Sequence, residues 1–225
     1  MNHALVVATQ NRGKLDELRA LLAPLGVQVL SPQDVAKREI IVVEDGETFD
    51  ANAKKKAQTV AGITMMLTIA DDSGLEVDAL NGAPGVRSAR FAGERATDAE
   101  NNAALLAALD ALDADPTFDT RTRTSEFYKA RFRCVLALVD PFLRDGEPFL
   151  VEGTCEGKIT RTPRGAGGFG YDPLFLVDGT DKTMAELSEE EKNRVSHRAR
   201  AFDKLRLVLE KVFAERDGIT RKVCG

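Results

Sequence analysis

Several short stretches of this 225-residue chain carry side chains suited to handling a charged ligand. The first is Thr9-Gln10-Asn11-Arg12-Gly13-Lys14, a polar run between an apolar segment and a leucine-periodic one. A loop that opens a helix after a strand aims backbone N–H groups at a bound anion. Gly13 permits close backbone approach and Lys14 adds a point charge. It is not a Walker A loop, because the first glycine is missing and Leu15 stands where Ser or Thr belongs. A polar turn with a solvated lysine is the commoner use of such residues taken alone. Downstream of Glu44, Lys54-Lys55-Lys56 spans most of a helix circumference, so at most one or two of them reach a common ligand. Without other evidence a solvated charged face is the better reading of that run.

Asp71-Asp72-Ser73-Gly74 follows the short apolar run Thr68-Ile69-Ala70. Adjacent carboxylates at a strand end are costly unless a cation or water neutralises them. Hard oxygen ligands of this kind suit Mg²⁺, which takes one or two carboxylates plus substrate phosphates. The bland alternative is an Asp-rich turn bonded to its own backbone. Ile69, Ala70 and Leu75 on either side place the pair near the core and favour function.

Gly165-Ala166-Gly167-Gly168-Phe169-Gly170-Tyr171-Asp172-Pro173 matches GxGxxG only as a string. The dinucleotide fingerprint needs a strand before it and a helix after it. Here Pro163-Arg164 precedes and Leu174-Phe175-Leu176-Val177 follows. The run is better read as bare backbone wrapped around something flat, with Phe169 or Tyr171 to stack on it and Asp172 to accept its hydrogen bonds. By composition alone, a tight cluster of β-turns has even odds. Last, Ser196 can cap a helix that carries His197 and Arg198 in its first turn, where cations oppose the helix dipole. That choice points to a ligand or to a harmless exposed pair.

The elements that must position these residues are legible in outline. Leu5–Ala8 and Val27–Leu30 read as strands on either side of a helix carrying Leu15, Leu18, Leu21, Leu22 and Leu25, with Gly26 as its stop. Ile40–Val43 is a third strand candidate, and Thr48 opens a helix that runs to Gly62. Thr97 with Glu100, and Ser188 with Glu191, form capping boxes. Residues 113–127 lack a period and read as a surface loop. Ala130–Val139 and Phe149–Cys155 read as strands joined through the turn Arg144-Asp145-Gly146, and Leu174–Val177 as a short one. From Ser196 onward, Ala199, Phe202, Leu205, Leu209 and Val212 give a C-terminal amphipathic helix. The expectation is an α/β fold: a single domain over residues 1–225, with a mixed sheet flanked by helices and two lobes divided by an active-site cleft.

Composition narrows the class. Lys plus Arg is 31 and Asp plus Glu is 36, a formal net charge of −5, which argues against a nucleic-acid coat protein. Cys134, Cys155 and Cys224 form no CxxC pair, and His3 and His197 supply no zinc cluster. That usage suggests a reduced, cytoplasmic setting. The N-terminus lacks the pattern of a signal peptide, and the mainly apolar segment Val60–Ala70 is too short to span a membrane.

Taken together, the segments resemble the inosine-triphosphate pyrophosphatase family. The matching strings are Ala8–Lys14, Glu44–Phe49 with Asn52-Ala53, Ala70–Leu75, Gly82–Gly85 with Ser88–Arg90, Gly167–Pro173, and Glu191–Asn193 with Ser196–Arg198. Each is weak alone, but six in order across nearly the whole chain are specific. The resemblance implies a two-lobed α/β homodimer that hydrolyses ITP, dITP and XTP to the monophosphate and pyrophosphate with Mg²⁺. It implies that Thr9, Gln10, Asn11, Arg12, Gly13, Lys14 and Lys56 hold the triphosphate. Glu44 and Asp72 would serve the metal, with Asp72 also the base for water, and Ser73 would touch substrate. Phe169, Gly170, Tyr171, Asp172, Lys192, His197 and Arg198 would form the base pocket. Gln10 replaces a commonly small residue, residues 113–127 are longer than usual, and the tail Ile219–Gly225 has no counterpart. A non-hydrolysing nucleotide sensor is the alternative, and it would be expected to lack one of Glu44, Asp71, Asp72, Lys14 or Lys56, all of which are present.

Overall fold

The structure is a computed structural model that describes residues 3–36, 39–114 and 128–224, with side chains through residue 219. Among the described residues, six strands make one mixed sheet in the order β2-β1-β3-β4-β5-β6. They are β1 (Ala4–Ala8), β2 (Gln28–Leu30), β3 (Thr68–Val77), β4 (Lys129–Val139), β5 (Phe149–Ile159) and β6 (Phe175–Val177). β1 pairs in parallel with both β2 and β3, as its helical connections require, whereas β5 and β6 are antiparallel. The Ile159 N–H donates to the Tyr128 carbonyl, joining the end of β5 to the start of β4.

The chain divides into two units, and the division falls inside β3, β4 and β5. Unit 1 comprises Met1–Asp72, Val135–Gly153 and Arg198–Gly225. Its helices include α1 (Arg12–Leu22), α2 (Pro32–Val35) and α3 (Phe49–Thr64). α1 is capped by Asn11, whose side chain accepts the Lys14 N–H, and α3 by Thr48, whose side chain accepts the Ala51 N–H. Leu18 and Leu22 from α1, Ala53 and Ala57 from α3, and Val6 and Ile69 from the strands are all buried.

Unit 2 comprises Ser73–Cys134 and Thr154–His197, with α4 (Asp98–Ala114) and α5 (Glu189–Val195). Both capping boxes form: Glu100 accepts from the Thr97 N–H, and Glu191 from the Ser188 N–H. Leu75, Leu105, Leu109, Phe132, Tyr171 and Phe175 belong to its core. The last helix, α6 (His197–Cys224), runs through most of the expected tail, so Ile219 is helical.

Three local expectations need correction. Residues 39–46 form no strand: Ile41 and Val43 are exposed, and an apolar run without a partner strand gains nothing from extension. Asp71-Asp72-Ser73-Gly74, expected at the end of a strand, is the middle of β3, flanked by buried apolar residues on both sides. The helix expected to stop at Gly62 continues to Thr64, where Met65 closes it in the left-handed region. Of the expected loop 113–127, residues 113 and 114 end α4 and the remainder lies outside the described residues.

Candidate active site

In unit 1 the chemistry gathers around β3. Successive strand residues point to opposite faces, so Asp71 and Asp72 reach different helices. Asp71 is fully buried and is held by two cations: Lys14 Nζ at 2.5 Å from Oδ1 and Arg198 Nε at 2.9 Å from Oδ2. Arg198 also pairs with Glu17, three residues beyond Lys14 on α1. Burial alone would raise the Asp71 carboxyl, but Arg198 and Lys14 outweigh it and hold the group well below the ordinary range.

Asp72 faces α3. Lys56 Nζ lies 3.1 Å from Asp72 Oδ1 and 3.1 Å from Glu44 Oε2, bridging the two carboxylates. Burial disfavours the charged lysine, yet Asp72, Glu44 and Asp71 outweigh it and raise its pKa. Burial pushes the Asp72 carboxyl up; Lys56 and Lys14 pull it back, Glu44 adds to the rise, and the balance lies above the ordinary value. Asp72 Oδ2 is buried with no hydrogen-bond partner among the described residues. The three consecutive lysines diverge as helical geometry demands: Lys54 reaches Glu147, Lys55 reaches Asp45, and only Lys56 is buried.

The turn before α1 bonds within itself and to the segment after α2. Thr9 Oγ1 accepts the Asn11 N–H, Gln10 donates to Glu39, and Arg12 stands exposed 3.9 Å from Asp16. Gly13 begins the first helical turn, beside Lys14. Ser73, half-buried, is the first residue of unit 2 after Asp72.

Unit 2 holds the glycine-rich run. Gly168 has φ +73°, a conformation that favours glycine, and a Cβ there would collide with the Asp172 carboxylate. That carboxylate accepts the Phe169 N–H at 3.1 Å and pairs with Lys192 Nζ at 2.7 Å. Lys192 Nζ lies 5.2 Å from the Phe169 ring centroid, so cation, carboxylate and ring form one cluster with Gly170 next in the chain.

Tyr171, Arg198 and His197, all expected around the base, each have partners of their own. Tyr171 is no stacking platform: its ring is in the core and its hydroxyl donates to the Ser88 carbonyl at 2.9 Å. Burial, then the charge of Asp98, raises its pKa. Arg198, expected as a donor to a base, belongs to the Asp71 cluster of unit 1. The cationic first turn of α6 is answered there by Asp71 and Glu17. His197 is buried and stacks on Phe132, ring centroids 4.9 Å apart.

Residue typing gave no role to four contributors. Glu17 shares the Lys14 face of α1, and its spacing was the available signal. Asn52 accepts the Gly46 N–H at 2.8 Å and donates to its carbonyl at 3.3 Å, shaping the segment that carries Glu44. Asp98 and Asn102 bond to Gly170, and nothing local in the sequence marks them.

These features sit on an open, mixed α/β sheet, and the whole-chain comparisons give that arrangement its class. The chain belongs to the Ham1 family, whose model matches residues 5–208. It is 48% identical to a dITP/XTP pyrophosphatase of Desulforamulus reducens over 95% of this chain and 98% of that protein. It is 47% identical to the dITP/XTP pyrophosphatase of Bacillus licheniformis, over 92% and 97% respectively. Among solved structures, a HAM1 protein from Coxiella burnetii superposes with a TM-score of 0.77 at 41% identity, covering 93% of this chain and 99% of that one.

Proposed function

We propose that the protein hydrolyses non-standard purine nucleoside triphosphates, ITP, dITP and XTP, to the monophosphate and pyrophosphate. Family membership and the names of the relatives support the reaction and its substrates. The observation that carries the chemistry is the buried Asp72 carboxylate, with Lys56 on one oxygen and no partner among the described residues on the other. A buried carboxylate with an oxygen to spare, its pKa pushed up by burial, is suited to take a proton from water.

In this reading Lys14 and Lys56 set positive charge against the triphosphate, with the backbone of the Thr9–Lys14 turn beside them. Asp72 accepts a proton as the water oxygen bonds to the α-phosphorus. The bond from that phosphorus to the bridging oxygen breaks, and the oxygen leaves with pyrophosphate. For the base, Phe169 offers a ring face and Lys192 a donor to the C6 carbonyl of hypoxanthine or xanthine. Arg198 keeps Asp71 and Lys14 in place.

The residues fit a divalent cation. Glu44 and Asp72 are hard oxygen donors, and the unpartnered Asp72 oxygen is one that a cation would satisfy. Mg²⁺ takes one or two carboxylates together with substrate phosphates, and Glu44 and Asp72, both within 3.1 Å of Lys56 Nζ, are two such carboxylates. When bound, such an ion neutralises phosphate charge. A homodimer in the cytoplasm completes the proposal; no described helix is long and apolar enough to cross a membrane.

The test is turnover of an ITP, XTP, GTP and ATP panel with Mg²⁺, products resolved by ion-exchange chromatography. Equal amounts of monophosphate and pyrophosphate from ITP are expected, with activity abolished by EDTA. Diphosphate with orthophosphate would overturn the reading, and binding without turnover would identify a sensor.

A further inference from the structure

The first turns of α4 hold backbone elsewhere in unit 2. Asn101, 2% exposed, accepts the Ala92 N–H at 2.9 Å and donates to the Ala89 carbonyl at 3.1 Å. Next to it, Asn102 donates its side-chain amide to the Gly170 carbonyl at 2.9 Å. One turn earlier, the Asp98 carboxylate accepts the Gly170 N–H at 2.7 Å. Residues four apart share a helix face, so this pair grips both polar groups of one peptide residue, the acceptor by a donor and the donor by an acceptor.

The residue gripped matters. Gly170 follows Phe169, and the run Gly165–Gly170 contains four glycines, the residue type that loses most freedom on ordering. Other ties are the Gly167 N–H to the Ala185 carbonyl at 3.1 Å and the Phe169 N–H to Asp172. Capping does not explain the pair. An acidic residue in a first turn favours the helix dipole wherever it points, but Asp98 points at Gly170. Asn is a poor residue inside a helix, and Asn102 leaves Oδ1 buried without a partner among the described residues. That cost is tolerated at the position where its amide meets Gly170.

We infer that Asp98 and Asn102 are positioning residues for base recognition. By clasping Gly170 they fix where the Phe169 ring and the Asp172–Lys192 pair present themselves, without touching the ligand. The inference rests on the proposed function for the identity of the ligand, but not for the clasp.

The experiment compares the full-length protein with Asn102→Ala and with Asp98→Ala, each of which removes one side-chain partner of Gly170. Asp98 is exposed, so that variant keeps the fold even if Asn102→Ala does not. Each variant should raise KM for ITP about tenfold, the size expected for one ordering hydrogen bond. kcat should stay within about twofold, because the reacting groups are untouched. Inhibition by inorganic tripolyphosphate, which has no base, should not change. In ligand-free protein, hydrogen exchange should quicken in peptides covering residues 165–172 and not in β4. Unchanged KM and unchanged exchange in Asp98→Ala would overturn the inference. So would equal losses of ITP and tripolyphosphate affinity. A wild type that does not hydrolyse ITP would defeat the proposed function alone, and exchange would still decide the clasp.

Discussion

Asp71 and Asp72 are consecutive in β3, yet their carboxylates answer to separate partners: Asp71 to Lys14 and Arg198, Asp72 to Lys56. The strand pleat sends them to opposite faces, and helices on both faces bury them. One therefore becomes a fixed anion inside an ion network, while the other keeps an oxygen without a partner among the described residues.

Asp72→Asn keeps shape and volume but cannot accept the proton. ITP hydrolysis should fall by ~10²–10⁴-fold, the worth of general-base help. Steady-state kinetics under saturating Mg²⁺ checks it, and near wild-type turnover would remove Asp72 from the mechanism.

Arg198→Ala should act first on stability. It leaves Asp71, fully buried, with one cation fewer; breaking a buried pair on one side costs about 3–5 kcal/mol. Urea unfolding measures the loss. Adding Asp71→Asn should recover part of it, since the stranded charge is gone; additive losses in the double variant would mean the two do not interact.

Gly168→Ala should raise KM for ITP while leaving tripolyphosphate inhibition intact. The new Cβ meets the Asp172 carboxylate at a positive-φ position, so either the Asp172–Lys192 pair or the loop must move. Kinetics with both ligands separates this from general unfolding.

Asp140 sets an acid limit. Burial would raise its carboxyl, but Arg216 and the Phe142 N–H outweigh burial and lower it below 3.8. A depressed carboxyl contributes stability that is whole above the unfolded value and is lost as pH falls through the folded one. Unfolding free energy should therefore drop as pH falls into and below the ordinary carboxylate range, and Asp140→Asn should drop less over that window. Parallel curves for the two proteins would assign acid sensitivity to other groups.

Much was legible in the sequence because it is local. The capping boxes at Thr97 and Ser188, the leucine period of α1, the stop at Gly26 and the core face of β4 depend on residues a few positions apart. The residue types of the site were legible for the same reason: Lys14, Lys56, Asp72 and the Phe169–Asp172 run stand in short strings. Which residue meets which was not. Arg198 and Asp71 are 127 positions apart, and only packing selects Asp71 as its partner. Tyr171 was indistinguishable from a stacking residue until burial and Ser88 claimed it, and Ile40–Val43 is apolar like a buried strand but finds no partner strand among the described residues. Periodicity and caps are enforced by backbone geometry within a turn or two, so a sequence states them outright. A buried charge takes whatever counter-charge the assembled fold brings within reach, and that is decided only when the helices close over both faces of β3.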